Sequence, residues 1–325
     1  MSAEPKVRTI TVPTPQLLDA LQPLPAGMRG ALWDFDGEPD GVAYTDIDAV
    51  VAPYQGDTSW QAGISRVPNL KLLQAQTTGY DGLPELAGPA TAVASAAGVH
   101  AAATAELAVG LMLASLRGID AAVRNQQQGL WNPFRYPGLA DRKVTLVGVG
   151  GIGQEIAARL DPFEVRLTRV GSTARNDVGG HVHGVDELVD LAADTEVLVV
   201  ITPLTEQTRG LIDARVLGAL PDGALVVNVA RGPVVDTEAL TKEAVSGRLR
   251  AALDVVDPEP LPPGHPLWNC ANVIITPHVG GNSEAFTPRI EGFLRRQVQR
   301  LAVGEDPLNL VQPGPWGAGL SWQPD

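Results

Sequence analysis

Short apolar runs alternate with helix-like segments along the second half of the chain. From Lys143 onward, each run is followed by a turn, a stretch of helical periodicity and another run. Six of these runs are predicted strands: Val144–Val147, Val165–Val170, Val197–Ile201, Leu225–Val229, Ala251–Val255 and Val273–Thr276. Strands that are apolar on both faces and alternate with helices indicate a parallel sheet covered by helices on both sides. Six of them are typical of a doubly wound, dinucleotide-binding sheet.

The sequence signals for helices differ from one segment to the next. Asp236 can cap a helix over Thr237–Ser246, and Gly247 can take the left-handed conformation that ends it. The longest helical candidate is Ala105–Gln128, whose apolar residues spread around more than one face. An ordinary buried helix explains that distribution, and a helix shared between domains or subunits is the alternative.

A second α/β set precedes this long helix. Its strand candidates are Arg8–Val12, Gly30–Phe35, Ala49–Ala52 and Leu70–Ala75. We expect the tail after Thr287 to complete the set, with a helix over Ile290–Leu301 and a docking segment at Pro307–Val311. The first domain is therefore predicted to be discontinuous, with the second inserted into it and a cleft between them.

Length and composition agree with two domains and disfavour nucleic-acid binding and membrane association. In a chain of 325 residues we expect residues 1–104 and 288–325 to form one domain and 105–287 the other. The 24 Lys and Arg against 37 Asp and Glu give a net charge of −13, which disfavours nucleic acid because phosphate contacts need clustered positive charge. The single cysteine, Cys270, excludes an internal disulfide. The longest uncharged stretch, Leu86–Ala105, is too weakly apolar to span a bilayer, so we expect a cytoplasmic protein without a membrane partner.

A glycine-rich turn follows the first strand of the second domain. The sequence GVGGIG at 148–153 has a strand before it and a helix candidate, Gln154–Leu160, after it. In such a turn Gly148 permits the tight bend, Gly150 lets the backbone approach a pyrophosphate, and Gly153 allows the helix to pack on the strand. The pattern predicts a dinucleotide-binding loop.

The next strand ends without the acidic residue that binds the ribose hydroxyls of NAD. Arg169 lies at or beside that position, and Ser172, Thr173 and Arg175 follow it. Arginine and hydroxyl groups suit the extra 2′-phosphate of NADP, whereas the alternative is that both arginines are solvated surface residues. We expect NADP as the preferred cofactor and NAD as the second choice.

Polar residues follow the remaining strand candidates of the second domain. These segments are Thr202–Thr205, Asn228–Pro233, Asp254 with Glu259–Pro260, and Thr276–Gly281. Parallel strands end at one edge of their sheet, where doubly wound folds bind ligands. The four segments are therefore predicted to meet at one site.

The motifs together resemble the D-2-hydroxyacid dehydrogenase family, of the glyoxylate/hydroxypyruvate reductase kind, over essentially the whole chain. The resemblance rests on GVGGIG at 148–153, NVARGPVVD at 228–236, ALDVVDPEPLP at 252–262, HPLW at 265–268 and ITPHVGG at 275–281. It implies an NAD(P)-dependent oxidoreductase in which a Rossmann cofactor domain is inserted into a flavodoxin-like substrate domain. It also implies a homodimer joined partly through the long helix.

Matched residue by residue, the family's catalytic groups fall on Arg231, Glu259 and His278. Hydride transfer to a carbonyl carbon leaves charge on the oxygen, and an imidazolium is a suitable proton donor near neutral pH. Glu259 would orient His278, while the planar fork of Arg231 would bind the substrate carboxylate.

The resemblance implies further contacts with cofactor and substrate. The additional cofactor-binding residues are Thr104, Gly151, Ile152, Pro203, Thr208, Val229, Ala230, Asp254 and Gly280, with Asp254 near the nicotinamide carboxamide. Backbone N–H groups of Thr77, Thr78 and Gly79 would meet the substrate carboxylate. Ala75 stands about where phosphoglycerate-type relatives place a cation, which favours an unphosphorylated substrate such as glyoxylate or hydroxypyruvate.

Other functions remain open from the sequence. They are a dinucleotide-sensing binding protein of the corepressor kind and a phosphoglycerate-type dehydrogenase. A formate-type dehydrogenase is disfavoured, because those enzymes carry glutamine where this chain has Glu259. His181 and His183 form an H-x-H with no third ligand in sequence reach, so we expect a solvated loop and no metal site. His100 and His265 are expected to be structural.

Overall fold

The computed structural model describes residues 7–54 and 60–316. Its strands are β1 (Thr9–Val12), β2 (Arg29–Leu32), β3 (Ala49–Val51), β4 (Leu72–Gln74), β5 (Ala92–Ala94), β6 (Lys143–Val147), β7 (Arg166–Gly171), β8 (Arg175–Asp177), β9 (Gly180–Gly184), β10 (Val197–Val200), β11 (Leu225–Asn228), β12 (Arg250–Leu253), β13 (Val273–Ile275) and β14 (Leu310–Gln312). Its α-helices are α1 (Pro15–Ala20), α2 (Gln61–Ile64), α3 (Leu83–Ala87), α4 (Ala101–Leu116), α5 (Ile119–Gln127), α6 (Gly151–Leu160), α7 (Leu188–Ala192), α8 (Ala214–Ala219), α9 (Thr237–Val245) and α10 (Phe286–Ala302).

The chain divides into two compact units. One contains the residues up to His100 and those from Glu284 onward, and the other is Ala101–Ser283. The sequence analysis places these junctions at 104/105 and 287/288.

The first unit is built on a six-stranded sheet of order β14-β5-β4-β3-β1-β2. All neighbouring strands are parallel except β14, which runs antiparallel to β5. The parallel part has the order 2-1-3-4-5, so the predicted flavodoxin-like class is confirmed. Helix α10 brings the C-terminal segment onto this sheet, where the buried Gln297 donates a hydrogen bond to Oε1 of the buried Gln74 at 2.6 Å.

The second unit contains an eight-stranded sheet of order β13-β12-β11-β10-β6-β7-β9-β8. Strands β9, β7, β6, β10, β11 and β12 form the 3-2-1-4-5-6 arrangement of dinucleotide-binding sheets, and β13 extends it. The central strand β10 has four fully buried residues, which explains why its sequence is apolar without alternation. The predicted doubly wound fold is confirmed, with the antiparallel β8 and its partner β9 as strands that the sequence analysis missed.

The prediction of one long helix over 105–128 is wrong. Helix α4 ends at Leu116 and α5 begins at Ile119, with an angle of 63° between them. Gly118 at the break has φ +62°, and a Cβ there would lie 2.1 Å from the Tyr136 ring. Within the described ranges no single helix is long and apolar enough to cross a membrane; only this bent pair meets the length and composition criteria, and most of α4 is buried.

Candidate active site

The carboxyl ends of five neighbouring strands are aligned in the second unit. In the sheet register Val147 pairs with Val200, Val200 with Asn228, Asn228 with Leu253, and Leu253 with Ile275. The segments that follow these residues therefore leave the sheet at one edge. Neighbouring strands are about 4.8 Å apart, so the segments after β11 and β13 leave the sheet about 10 Å from each other.

The glycine loop between β6 and α6 is tightly packed. Gly148 has φ +111°, and a Cβ on it would lie 2.6 Å from the carbonyl oxygen of Ile201. A Cβ on Gly153 would lie 2.1 Å from the carbonyl oxygen of Gly148, whereas one on Gly151 would meet nothing within 4 Å. Space is thus open at the N-terminus of α6, which is where a helix attracts an anion.

A buried hydroxyl beside this loop lacks a partner. Thr202 Oγ1 has no hydrogen-bond partner among the described residues, and the Thr202 backbone N lies 3.1 Å from the Cβ that Gly148 would carry. Pro203 and Thr208 are joined, since Thr208 Oγ1 donates to the Pro203 carbonyl at 2.6 Å. The open space at Gly151 and the unpartnered hydroxyl of Thr202 fit a bound dinucleotide.

The two arginines after β6 have different surroundings. Arg169 forms a bidentate ion pair with Asp177 of β8, at 2.7 and 3.0 Å, and this hydrogen-bonded guanidinium holds the pKa of Asp177 below its usual value. Arg175 Nη1 lies 2.8 Å from the Cβ that Gly171 would carry, at the end of β7. The same Cβ would lie 3.3 Å from Val149 of the glycine loop, so Arg175 lies near that loop, while Ser172 and Thr173 are exposed.

Arg231 follows a turn that the buried Asn228 shapes. Asn228 Oδ1 accepts the Ala230 N–H at 3.0 Å, and its Nδ2 donates to the Arg231 carbonyl at 3.1 Å. The Arg231 guanidinium, which is half-buried, donates to the Ala230 carbonyl at 2.7 Å. A Cβ on Gly232 would lie 1.9 Å from the Val256 carbonyl oxygen, so only glycine fits after Arg231. Asn228 lies within the motif at 228–236, but the sequence pattern alone indicated no role for it.

Asp254 holds the segment that carries His278. Its carboxylate accepts hydrogen bonds from Thr276 Oγ1 at 2.6 Å, from the Val279 N–H at 2.9 Å and from the Gly280 N–H at 2.8 Å. The Asp254 carbonyl accepts the His278 N–H at 2.8 Å. The Asp254 side chain is buried, and the Cβ that Gly280 would carry lies 3.4 Å from Thr104 Cγ2. Thr104, Asp254 and Gly280, predicted separately, are therefore neighbours.

His278 and Glu259 form a hydrogen-bonded pair. The distance from His278 Nδ1 to Glu259 Oε1 is 2.5 Å, and both side chains are more than a third exposed. A hydrogen bond donated from Nδ1 leaves Nε2 for proton exchange with a bound molecule. His278 has φ +52°, in the left-handed region that a histidine seldom adopts. A proton donor, its orienting carboxylate and an arginine fork thus stand on one sheet edge.

The predicted substrate loop lies in the first unit. Thr77 Oγ1 donates to the Gly79 carbonyl at 2.6 Å, and the Ala96 N–H donates to the Thr77 carbonyl at 2.8 Å. Thr78 Oγ1 is buried and has no hydrogen-bond partner within the described part of the chain. His100 Nε2 lies 2.9 Å from the Gln76 carbonyl oxygen, so this histidine braces the loop.

The remaining histidines have other hydrogen-bond partners. His265 Nδ1 accepts the Leu267 N–H at 3.3 Å at the start of a short 3₁₀ turn. His181 and His183 lie on β9, and the expectation that they lack a third ligand is wrong, because Glu187 Oε2 lies 2.8 Å from His183 Nδ1.

Comparisons with known proteins agree with this geometry. The family model "D-isomer specific 2-hydroxyacid dehydrogenase, NAD binding domain" matches residues 109–280. The chain is 36% identical over 255 residues to a glyoxylate reductase of Thermofilum pendens, covering 75% of each protein. It superposes on a D-isomer specific 2-hydroxyacid dehydrogenase of Xanthobacter autotrophicus, solved with NADPH, with a TM-score of 0.80 and 29% identity, over 94% of this chain and 98% of that one. An NADPH-dependent glyoxylate/hydroxypyruvate reductase of Sinorhizobium meliloti, solved with NADP and malonate, gives a TM-score of 0.77 and 28% identity, over 95% and 98%.

Proposed function

Because the chain belongs to the D-isomer specific 2-hydroxyacid dehydrogenase family, we propose that it transfers a hydride between NADPH and a small, unphosphorylated 2-oxo acid such as glyoxylate or hydroxypyruvate. The resemblance predicted from the motifs is confirmed by these matches. The observation that carries the proposal is the His278–Glu259 pair, on the sheet edge that also bears Arg231 and the glycine loop.

The chain's own residues perform the acid–base and binding steps. Bound NADPH would supply the hydride. His278 donates a proton from Nε2 to the oxygen that becomes the hydroxyl, while Glu259 accepts from Nδ1 and fixes the orientation of the ring. Arg231 binds the substrate carboxylate and polarises the carbonyl. Such proton transfer contributes about 10²–10⁴-fold to a rate.

The glycine loop at the sheet edge would hold the pyrophosphate of the cofactor. The N-terminal N–H groups of α6, including those of Gly151 and Ile152, would donate to the pyrophosphate, and Thr202 Oγ1 would supply an additional hydrogen bond. The segments at 203–208, 229–230, 254 and 280 would hold the rest of the cofactor as far as its nicotinamide, with Gly150 and Gly153 at the loop and Thr104 beside Gly280.

NADP is the proposed cofactor, with NAD as the alternative. Two similar proteins were solved with NADPH or NADP. Asp177 neutralises Arg169, so Arg175, with Ser172 and Thr173, is the proposed partner of the 2′-phosphate. We expect Arg175→Ala to raise the KM for NADPH by about tenfold or more, because a charge-assisted contact is worth about 1.5–3 kcal/mol. The KM for NADH should not change, and a preference lost with Arg169→Ala but kept with Arg175→Ala would contradict this assignment.

The proposed substrate domain comprises residues 1–104 and 288–325, which include most of the first unit, and 105–287 is the proposed cofactor domain. The loop with Thr77, Thr78 and Gly79 would present backbone N–H groups to the substrate carboxylate. Ala75, at the start of this loop, offers no cation for a phosphate, which supports an unphosphorylated substrate.

A homodimer is the proposed assembly. Large apolar side chains are exposed on α5 and in the segment after it: Ile119, Val123, Leu130, Trp131 and Phe134. Trp131 is 96% exposed, and a patch of this kind is typical of a subunit interface. We expect Trp131→Glu to yield monomers in light scattering, whereas Val178→Glu, which alters an equally exposed side chain on the β8–β9 turn, should not.

A cytoplasmic location without nucleic-acid or membrane partners is proposed from the −13 charge and the single cysteine.

A substrate panel tests the proposed activity. Purified protein should oxidise NADPH with glyoxylate or hydroxypyruvate and turn over the phosphorylated analogue poorly. His278→Ala should lower kcat about 10²–10⁴-fold. His265→Asn is the matched control, because asparagine can still cap the turn at 265. NADPH binding without turnover of any 2-oxo acid would favour the corepressor-like alternative and overturn the proposal.

A further inference from the structure

The β8–β9 hairpin brings three metal-ligating side chains together. His181 and His183 project from β9, and Glu187 follows within the next turn of the chain. One ligand atom from each lies within 4.8 Å of the other two. The two imidazole rings are 4.5 Å apart at 87°, and His183 Nδ1 lies 2.8 Å from Glu187 Oε2.

Neighbouring groups orient two of these side chains. Glu187 Oε1 accepts the Gly184 N–H at 2.9 Å, which leaves Oε2 directed at His183. Asn176 Oδ1 lies 3.2 Å from His181 Nδ1, so that nitrogen donates the bond and Nε2 keeps its lone pair. Metal-binding side chains are commonly fixed by such outer hydrogen bonds.

We propose that His181, His183 and Glu187 form a binding site for a divalent transition-metal ion. Two imidazoles and a carboxylate suit Zn²⁺, with ligand bonds of about 2.0–2.2 Å in a tetrahedron whose edges are about 3.4 Å. The His183–Glu187 contact must open from 2.8 Å to about 3.4 Å, and His181 must turn inward. His181 is exposed and Glu187 is 41% exposed, so neither side chain is enclosed by surrounding atoms and both can make these small shifts. A water molecule can fill the fourth position of the tetrahedron.

A metal ion bound at His183 Nδ1 takes the place of the hydrogen bond to Glu187, and the ring proton then stands on Nε2. The ion would join β9 to the turn at Glu187, and through Asn176 it would also brace β8. The site lies apart from the proposed acid–base pair, because β9 and β13 lie toward opposite edges of the sheet, but it shares the β8–β9 hairpin with Arg175, which pairs with Val182.

Calorimetric titration of the untagged, chelator-treated full chain with ZnCl₂ tests the site. We expect one ion per chain and a higher unfolding temperature in the presence of Zn²⁺. His181→Ala and Glu187→Gln should each weaken binding about tenfold or more, and the His181→Ala/His183→Ala double variant should abolish it.

Asp186→Asn is the matched control, since it removes the same charge from an exposed residue next to Glu187. Its affinity for Zn²⁺ should equal that of the parent chain. Absence of binding by the parent, binding that survives the double variant, or equal weakening by Asp186→Asn and Glu187→Gln would each overturn the proposal. Unfolding midpoints measured without Zn²⁺ identify any variant whose loss of binding comes from misfolding.

Discussion

Replacement of Asp254 by asparagine should displace His278, the proposed proton donor, without removing it. The Asp254 carboxylate accepts three hydrogen bonds from the segment around His278: those of Thr276 Oγ1, the Val279 N–H and the Gly280 N–H. His278 adopts φ +52°, a conformation that costs about 1–2 kcal/mol for a residue with a Cβ. The buried carboxylate is thus the group that holds this unfavourable backbone in place.

The expected loss of stability follows from the hydrogen-bond acceptors that asparagine lacks and aspartate has. Its amide nitrogen cannot accept, so the best orientation keeps the oxygen at Thr276 and Val279 and leaves the buried Gly280 N–H facing another donor. One charge-assisted hydrogen bond is lost, worth about 1.5–3 kcal/mol, and the other two become neutral. We expect the free energy of unfolding to fall by about 2–3 kcal/mol. We expect kcat to fall about tenfold to a hundredfold, because a displacement of about 1 Å has effects of that size.

Urea unfolding and steady-state kinetics measure the two effects separately. Asp236→Asn is the matched control: the Asp236 carboxylate caps α9 by accepting one N–H from Ala239, and asparagine caps equally well. The control should keep both its stability and its kcat. If Asp254→Asn loses stability but keeps the kcat of the parent, the carboxylate does not position His278. If the free energy of unfolding changes by less than about 0.5 kcal/mol, the hydrogen-bond reasoning is wrong as well.

Three further predictions concern other parts of the second unit. Glu259→Gln should lower kcat about a hundredfold while leaving NADPH binding intact, as steady-state kinetics can show, and an unchanged kcat would contradict its role. Gly153→Ala should weaken NADPH binding and cost about 1–3 kcal/mol in unfolding experiments, because its Cβ would lie 2.1 Å from a backbone carbonyl oxygen, whereas Gly151→Ala should fold normally. The hydrogen bonds from Arg169 lower the pKa of Asp177, so their stabilising contribution is complete above the usual value near 3.8 and is lost as the pH falls through the lowered pKa. Hydrogen exchange in the β8–β9 hairpin should accelerate over that acidic range, and Asp177→Asn should remove this dependence.

Burial on both sheet faces made the main strands predictable. Strands such as β10 and β11 are wholly buried, so their sequences are unbroken apolar runs that differ from the surrounding helices. Strands β8 and β9 carry Gly, Asn, Asp and His and are mostly exposed, so they lack such a signal. The break between α4 and α5 was missed because a single glycine within a helical pattern does not by itself predict the end of a helix. Glycine is required at 118 because the ring of Tyr136, which comes later in the chain, leaves no room for a Cβ.

The sequence predicted which segments share the sheet edge better than it predicted which side chains pair with each other. Motifs after consecutive strands imply a common edge, because parallel strands end together. The ion pair of Arg169 depends on the hairpin that brings Asp177 opposite it, and that hairpin has no apolar pattern. A sequence therefore identifies both arginines as cationic but cannot tell that Arg169 is paired with Asp177.

The Asp254 carboxylate connects the proposed cofactor site to the segment that positions His278. A carboxylate has about four acceptor positions, and Asp254 uses three of them for Thr276, Val279 and Gly280. Among residues 7–54 and 60–316, Oδ2 accepts only the Gly280 N–H, so one lone pair on that oxygen would be open to a donor such as the nicotinamide carboxamide. If Asp254 binds both the cofactor and the histidine segment, occupancy by NADPH stabilises the arrangement that holds His278. Asp254→Asn should then raise the KM for NADPH as well as lower kcat, whereas Glu259→Gln, which does not touch that oxygen, should affect kcat alone.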